Sequence, residues 1–326
     1  MDIAVCVQLV NHVPTFYSEW HMAQPTKPTK SPHSSRPPKQ TAVKPVEPAP
    51  AVATKSATAF PIVGIGCSAG GLDAVEKLLS HVPAASGMAF IIVQHLDPEH
   101  VSALPELLQR VTAMPVAEAA NHMAVKPDCV YIIPPNKDMS LLHGELHLFA
   151  PVAPRGLRLP IDFFLRTLAE DQGANAVGVI LSGMGSDGVF GLRAIKDKTG
   201  LTLAQDPASA QADSMPRSAI EAGLADLVAP PEAMPALIAN YFKLPAQQSQ
   251  AAPPAKTNAQ SALDKITILL RDRSGNDFSL YKKSTLYRRI ERRMGLHQLP
   301  KLADYVRHLR ENSQEAVLLF KELLIG

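Results

Sequence analysis

From Phe60 onward, short apolar runs alternate with stretches in which apolar residues recur every three or four positions. Phe60–Gly66 is an apolar run ending in glycines, Ala89–Gln94 is a second and Val130–Ile133 a third. Runs of this length with no polar alternation predict strands buried on both faces. Leu72–His81, Ala103–Val111 and Ile161–Glu170 show helical spacing between them. Met139–Leu142 and Glu145–Phe149 flank His143-Gly144, a two-residue hairpin signal. Further strands are expected at Ala176–Leu181, Leu201–Gln205 and Asp226–Ala229, with helical stretches between and after them. Continuous apolar strands alternating with helices predict an α/β domain: a doubly wound, mostly parallel sheet covered on both faces. From Leu263 to Ile325 only helical patterns remain, with one break at Leu299-Pro300. This end predicts a small all-α subdomain.

Composition sets the boundaries. Residues 22–59 carry 8 prolines among Lys, Ser, Thr and Ala, too few large apolar groups to bury a core, so 1–59 reads as a disordered Pro/Lys-rich tail. Met22 is an alternative start, since Met1–His21 differs from the tail after it. The expected domain is 60–242, followed by a Gln/Ala/Pro-rich linker over 243–262 and the helical piece over 263–326. The 326-residue chain has a net charge of +2, but the charge is unevenly spread. Residues 60–242 hold 11 basic and 19 acidic side chains, and residues 263–326 hold 13 basic and 8 acidic. An acidic middle argues against a nucleic-acid surface there. No apolar run approaches the ~18 residues of a membrane span, and no basic residue precedes the short apolar stretch at the N-terminus, so a cytoplasmic location without membrane insertion is expected. Cys6, Cys67 and Cys129 are odd in number and far apart. A disulfide framework or zinc ribbon is therefore not expected.

Ligands of parallel α/β sheets sit outside the carboxyl ends of strands. Gly64-Ile-Gly-Cys-Ser68-Ala-Gly70-Gly71 follows the first strand, Gln94-His95-Leu-Asp97 the second, and Ser182-Gly-Met184-Gly-Ser-Asp187-Gly188 the Ala176 strand. Ser68, His95 and Asp187 are the parts of a nucleophile, a base and an orienting acid. Each has a plainer reading: Ser68 as a helix cap, His95 as a structural histidine, Asp187 as a cap of the helix beginning there. Gly66–Gly70 matches G-x-S-x-G, a strand-to-helix turn that exposes a serine. Gly64–Ala69 also matches G-x-G-x-x-A, a dinucleotide fingerprint, but that site wants an acid at the end of the second strand, where Gln94 and His95 stand. Glycines in the 183–188 loop permit close backbone approach, and its N–H groups suit an oxyanion hole.

Together, Gly64–Gly71, Gln94-His95, Gly183–Gly188 and Ser214-Met-Pro-Arg217 resemble the catalytic domain of the chemotaxis protein-glutamate methylesterases, the CheB family, over about residues 60–242. The resemblance implies a Ser68 nucleophile, a His95 general base, an orienting Asp187 and oxyanion donors from Met184 and the Ala69-Gly70 turn. It implies hydrolysis of γ-glutamyl methyl esters, and deamidation of glutamines, on the cytoplasmic helices of methyl-accepting chemoreceptors, with no metal or organic cofactor. A catalytically silent receptor-binding adaptor is the alternative. Ser214 stands where many relatives have glycine. Residues 1–59 do not match the phosphoacceptor receiver domain typical of the family, so phosphorylation control in cis is not expected.

Phe278–Met294, Tyr305 and Phe320–Gly326 resemble the N-terminal helical subdomain of the receptor methyltransferases, CheR. The S-adenosylmethionine-binding domain that would follow does not, so methyl transfer is not expected and the sequence reads as the front part of a fusion. Arg288 with Arg292, and Arg289 with Arg293, repeat at i, i+4 on a helix. The resemblance implies that these four arginines dock on the acidic receptor.

Overall fold

The computed structural model describes residues 60–94, 103–152, 158–243, 256–276, 278 and 281–324. The expected tail, Met22 as a start, and His95 lie outside the described residues. In chain order the strands are β1 (Ile62–Cys67), β2 (Ala89–Gln94), β3 (Val116–Glu118), β4 (Met123–Ala124), β5 (Val130–Ile132), β6 (Asp138–Leu142), β7 (Glu145–Phe149), β8 (Ala176–Ile180), β9 (Leu201–Gln205) and β10 (Leu227–Ala229). Seven of them form one sheet in the order β10-β9-β8-β1-β2-β5-β3, parallel at every pairing. β1, β8 and β9 are buried at every position, which is why their sequences lack polar alternation.

One face of the sheet packs on α1 (Gly71–Ser80), α2 (Leu104–Gln109) and α6 (Met234–Lys243), through Val75, Leu78, Leu108 and Ile238. The other packs on α3 (Pro160–Gln172), α4 (Val189–Asp197) and α5 (Ser214–Glu221), through Phe164, Leu168, Ile195 and Met215. The chain runs from β1 outward through β2, then returns to lay β8 on the other side of β1. This reversal opens a crevice above the carboxyl ends of β1 and β8, where α/β sheets place their ligands.

β4, β7 and β6 form a separate antiparallel sheet. The hairpin tip is pinned at His143 and Gly144, whose N–H groups donate to the Asp171 carboxylate on α3. β3 and β4 were not anticipated. They are three and two residues long and partly exposed, so they leave no apolar run to read.

The last four helices, α7 (Lys256–Ser274), α8 (Lys283–Leu296), α9 (Leu302–Glu311) and α10 (Ser313–Leu324), surround their own core of Ile266, Leu270, Ile290, Tyr305, Leu309 and Leu319. α7 begins inside the stretch expected as linker, because the Lys, Ala and Gln residues after Pro254 are good helix formers.

The docking arginines require a correction. Arg288 is exposed, with its Nε donating to Ser284 O. Arg289, Arg292 and Arg293 are 4%, 3% and 5% exposed, and so do not present a face to an external partner. Arg289 donates to Lys196 O (2.5 Å) and Asp197 O (3.2 Å) at the carboxyl end of α4. Arg292 donates to Gly200 O (2.9 Å), ion-pairs with Asp226 and reaches Glu322 Oε1 at 2.7 Å. Arg293 pairs with Glu315 and Glu322 inside the helical core. A helix read alone shows the spacing of its charges but not their partners. The partners of Arg292 lie on β9, β10 and α10 approaches far along the chain.

Candidate active site

Ser68 sits on the turn from β1 into α1 and is half-buried. Its N–H donates to Ser182 O (2.9 Å), and its own carbonyl accepts from Gly71 N (2.9 Å). Gly70 completes the turn at φ 71°, in the left-handed region that favours glycine. A Cβ there would lie 2.6 Å from Gln211 Cβ and 2.7 Å from Ser182 Oγ. Gly183 is as constrained, since a Cβ would lie 3.0 Å from Ser68 Cβ and 2.2 Å from Met215 Sδ. The two loops thus approach at backbone distance, and the residue after Gly183, Met184, stands 68% exposed beside the serine turn. Among the described residues, the N–H groups of Ala69, Gly70 and Met184 find no protein acceptor. An oxyanion would need donors of this kind.

Asp187 is 4% exposed. Its carboxylate accepts from Ile161 N (3.1 Å) and Asp162 N (2.9 Å), at the start of α3. Asp162 in turn accepts from Gly191 N (2.6 Å), in the first turn of α4. The two aspartates cap each other's helices, which fixes Asp187 at the crevice from two sides. Burial pushes the Asp162 carboxyl up to about 6, against the Gly191 hydrogen bond and with help from the nearby Asp187 charge. Among the described residues, Asp162 Oδ2 has no hydrogen-bond partner.

His95 follows directly on β2, which ends at Gln94 in register with Cys67 of β1. An open cavity of about 520 Å³ lies over these strand ends, lined by Ser68, Gly70, Leu72, Glu76, Gln94 and Gln211. The thiol of Cys67, beneath the serine, is fully buried and its pKa is pushed up to about 12 by burial alone, so it stays protonated.

Sequence reasoning passed over two residues that hold the loops together. The Ser182 hydroxyl donates to Ala69 O (2.8 Å) and accepts from Ala212 N (2.9 Å), and Ser182 N donates to Gln205 Oε1 (2.8 Å). Gln205 Nε2 continues to Ser209 O (3.1 Å). The available signal was a glutamine closing the mostly apolar run Leu201–Ala204. Ser214, the departure from the family's glycine, is used: its Oγ accepts from Gly185 N (3.1 Å) and steadies the Met184 loop.

Among the described residues, two groups offer three metal-ligating atoms within 4.8 Å of one another: His122, Glu145 and His147, and His297, His308 and Glu315. Glu315 is already engaged by Arg293 and Tyr305. Neither group includes a residue of the Ser68 crevice.

The family model for CheB methylesterase matches residues 63–238, and that for the CheR methyltransferase all-alpha domain matches residues 261–324. An uncharacterized 104.1 kDa protein of Rhodobacter capsulatus is 36% identical over 243 residues, 68% of this chain and 25% of its own length. A protein-glutamate methylesterase/protein-glutamine glutaminase of Moorella thermoacetica is 39% identical over 184 residues, 55% of this chain and 43% of its own. The crystal structure of the Thermotoga maritima CheB methylesterase catalytic domain superposes with a TM-score of 0.52 at 30% identity, covering 55% of this chain and 97% of that one. The chain thus spans less than half the length of these two curated relatives. With its sheet order, its serine turn and a family match over more than half of its residues, the chain belongs to the CheB methylesterase family.

Proposed function

We propose that this chain is a serine hydrolase that demethylates γ-glutamyl methyl esters, and deamidates glutamines, on the cytoplasmic helices of chemoreceptors. The observation that carries this reading is the meeting of the Ser68 turn with the Ser182–Gly188 loop at the switch point of the sheet. Ser68 is the nucleophile and His95 the base. Asp187 orients His95, and the N–H groups of Met184, Ala69 and Gly70 are the candidate oxyanion donors.

His95 takes the Ser68 hydroxyl proton as Oγ bonds to the ester carbonyl carbon. The C–OCH3 bond breaks, the methoxy oxygen receives that proton, and methanol leaves. Water then gives a proton to His95 and attacks the acyl carbon. The Ser68 ester bond breaks, Oγ regains its proton, and the glutamate product leaves as a carboxylate with one proton released to solvent. No metal or organic cofactor takes part.

Exposed Met184 and Phe190 beside the crevice support a protein-borne substrate rather than an enclosed small molecule. Among the described residues no helix is long and apolar enough to cross a membrane.

The test is methanol release from methylated receptor membranes. Ser68→Ala is expected to lower the rate by at least ~10³-fold, as loss of a triad nucleophile does. Equal release from both proteins would falsify the assignment.

A further inference from the structure

The small antiparallel sheet carries chemistry that the serine crevice does not use. Side chains alternate across a strand. In β7, Leu146 is fully buried in the core, so its neighbours Glu145 and His147 stand together on the opposite face. β4 pairs with β7 through Met123↔Leu146 and Ala124↔Glu145, and one further step of that register sets His122 against His147. The His122 N–H donates to Leu146 O (2.8 Å), which anchors its backbone there. The two imidazole rings meet edge to face, with centroids 4.7 Å apart at 84°.

One nitrogen of each ring and one Glu145 carboxylate oxygen lie within 4.8 Å of one another. Ligand atoms around a tetrahedral zinc ion lie roughly 3.4 Å apart, given bonds of about 2.0–2.1 Å. His122 and Glu145 are exposed and His147 half-buried, so small side-chain rotations close the gap without moving the strands. Among the described residues, neither the Glu145 carboxylate nor either ring enters a hydrogen bond or an ion pair. The group of His297, His308 and Glu315 differs in this respect: Arg293 already pairs with Glu315, and its fixed charge repels a cation. Two imidazole nitrogens and one carboxylate oxygen suit a borderline-soft divalent ion, whereas Mg²⁺ and Ca²⁺ prefer oxygen ligands throughout.

We propose that His122, Glu145 and His147 form a binding site for one divalent transition-metal ion of the zinc class, which clips β4 to β7. The two-residue β4 offers only a short ladder of its own, so a bond from His122 to an ion held by β7 adds the fastening that the ladder lacks. Water fills the fourth position. The site shares no residue with the Ser68 crevice, and its metal takes no part in the ester chemistry.

The experiment uses the full chain, stripped of metal by a chelator and titrated with Zn²⁺ against a chromophoric competitor. His122→Ala, His147→Ala and Glu145→Gln test the three ligands, and His308→Ala tests the other group. Circular dichroism reports the fold of each variant, and Glu145→Gln keeps shape at an exposed position should a histidine variant fail to fold. We expect wild type and His308→Ala to bind one zinc ion alike, and each of the three ligand variants to bind it roughly tenfold or more weakly. Bound zinc is expected to raise the thermal midpoint of wild type and not that of His147→Ala. Co²⁺ in its place should give visible d–d bands that His147→Ala removes, and Mg²⁺ or Ca²⁺ should not compete. Wild type that takes up no zinc overturns the proposal. So does affinity that any folded ligand variant retains in full, affinity that falls with His308→Ala instead, or equal competition by Mg²⁺.

Discussion

Asp162 and Asp187 are 25 residues apart and each terminates the other's helix. Asp187 was legible as a loop carboxylate among glycines. Asp162 was not, because an aspartate in a helical first turn is ordinary and its reach across to α4 is a tertiary fact. Asp162 also makes a prediction. A carboxyl whose pKa rises to about 6 on folding, from ~3.9 unfolded, favours the native state most below pH ~4. That contribution is lost as pH climbs through 6. Wild type minus Asp162→Asn should therefore change in stability between pH 4.5 and 7, with the aspartate relatively worse at the higher pH. Urea midpoints at the two values measure it, and parallel shifts for both proteins would contradict it.

At the scale of elements, the crevice is assembled by connectors rather than by strands. Ser182 ties the ends of three loops, following β1, β8 and β9, and Gln205 holds Ser182. Gln205→Leu leaves the buried Ser182 N–H without its acceptor, a cost of about 1–3 kcal/mol. We expect the denaturation midpoint to fall accordingly, and kcat for ester hydrolysis to fall with it because the Ser68 turn loses its backing. Unchanged kcat in a destabilised variant would limit Gln205 to a structural role. The long buried strands and the helical periodicities could be read from the sequence because burial on two faces dictates composition directly. The three-residue β3 and the two-residue β4 could not, since they are held by neighbours more than by their own residues. The position of the serine turn was readable because backbone crowding demands glycine, and glycine density survives in one dimension.

Across the whole molecule, one charge network joins the α/β domain to the helical one. Lys196, Asp226, Arg292 and Glu322 have side chains 6%, 0%, 1% and 2% exposed. Burial alone would raise the Asp226 carboxyl, but Arg292 and Lys196 hold it below the usual range. Glu315 behaves alike: hydrogen bonds from His297 and Arg293 outweigh burial and bring it down to about 2. Carboxyls depressed on folding stabilise the native state above their unfolded pKa, ~4. That stability is withdrawn as pH falls from there toward 2, so acid should loosen the helical core and its junction with the sheet. Breaking the pair from one side strands a buried charge, at about 3–5 kcal/mol. Asp226→Ala should lower the thermal midpoint of the full chain and open the junction at α8 to protease. Arg288→Ala, at an exposed position, should do neither.

The junction also fixes a distance. Gly200, Thr202 and Asp226 stand at the starts of β9 and β10, whereas Ser68 and Ser182 stand at the ends of β1 and β8. A strand of five or six residues, roughly 17–20 Å, separates the two edges. The helical domain is thus joined at the strand ends opposite those that carry the cavity. The arrangement is that of a tool and its handle, with the serine turn at one end of the strands and the junction with the helices at the other.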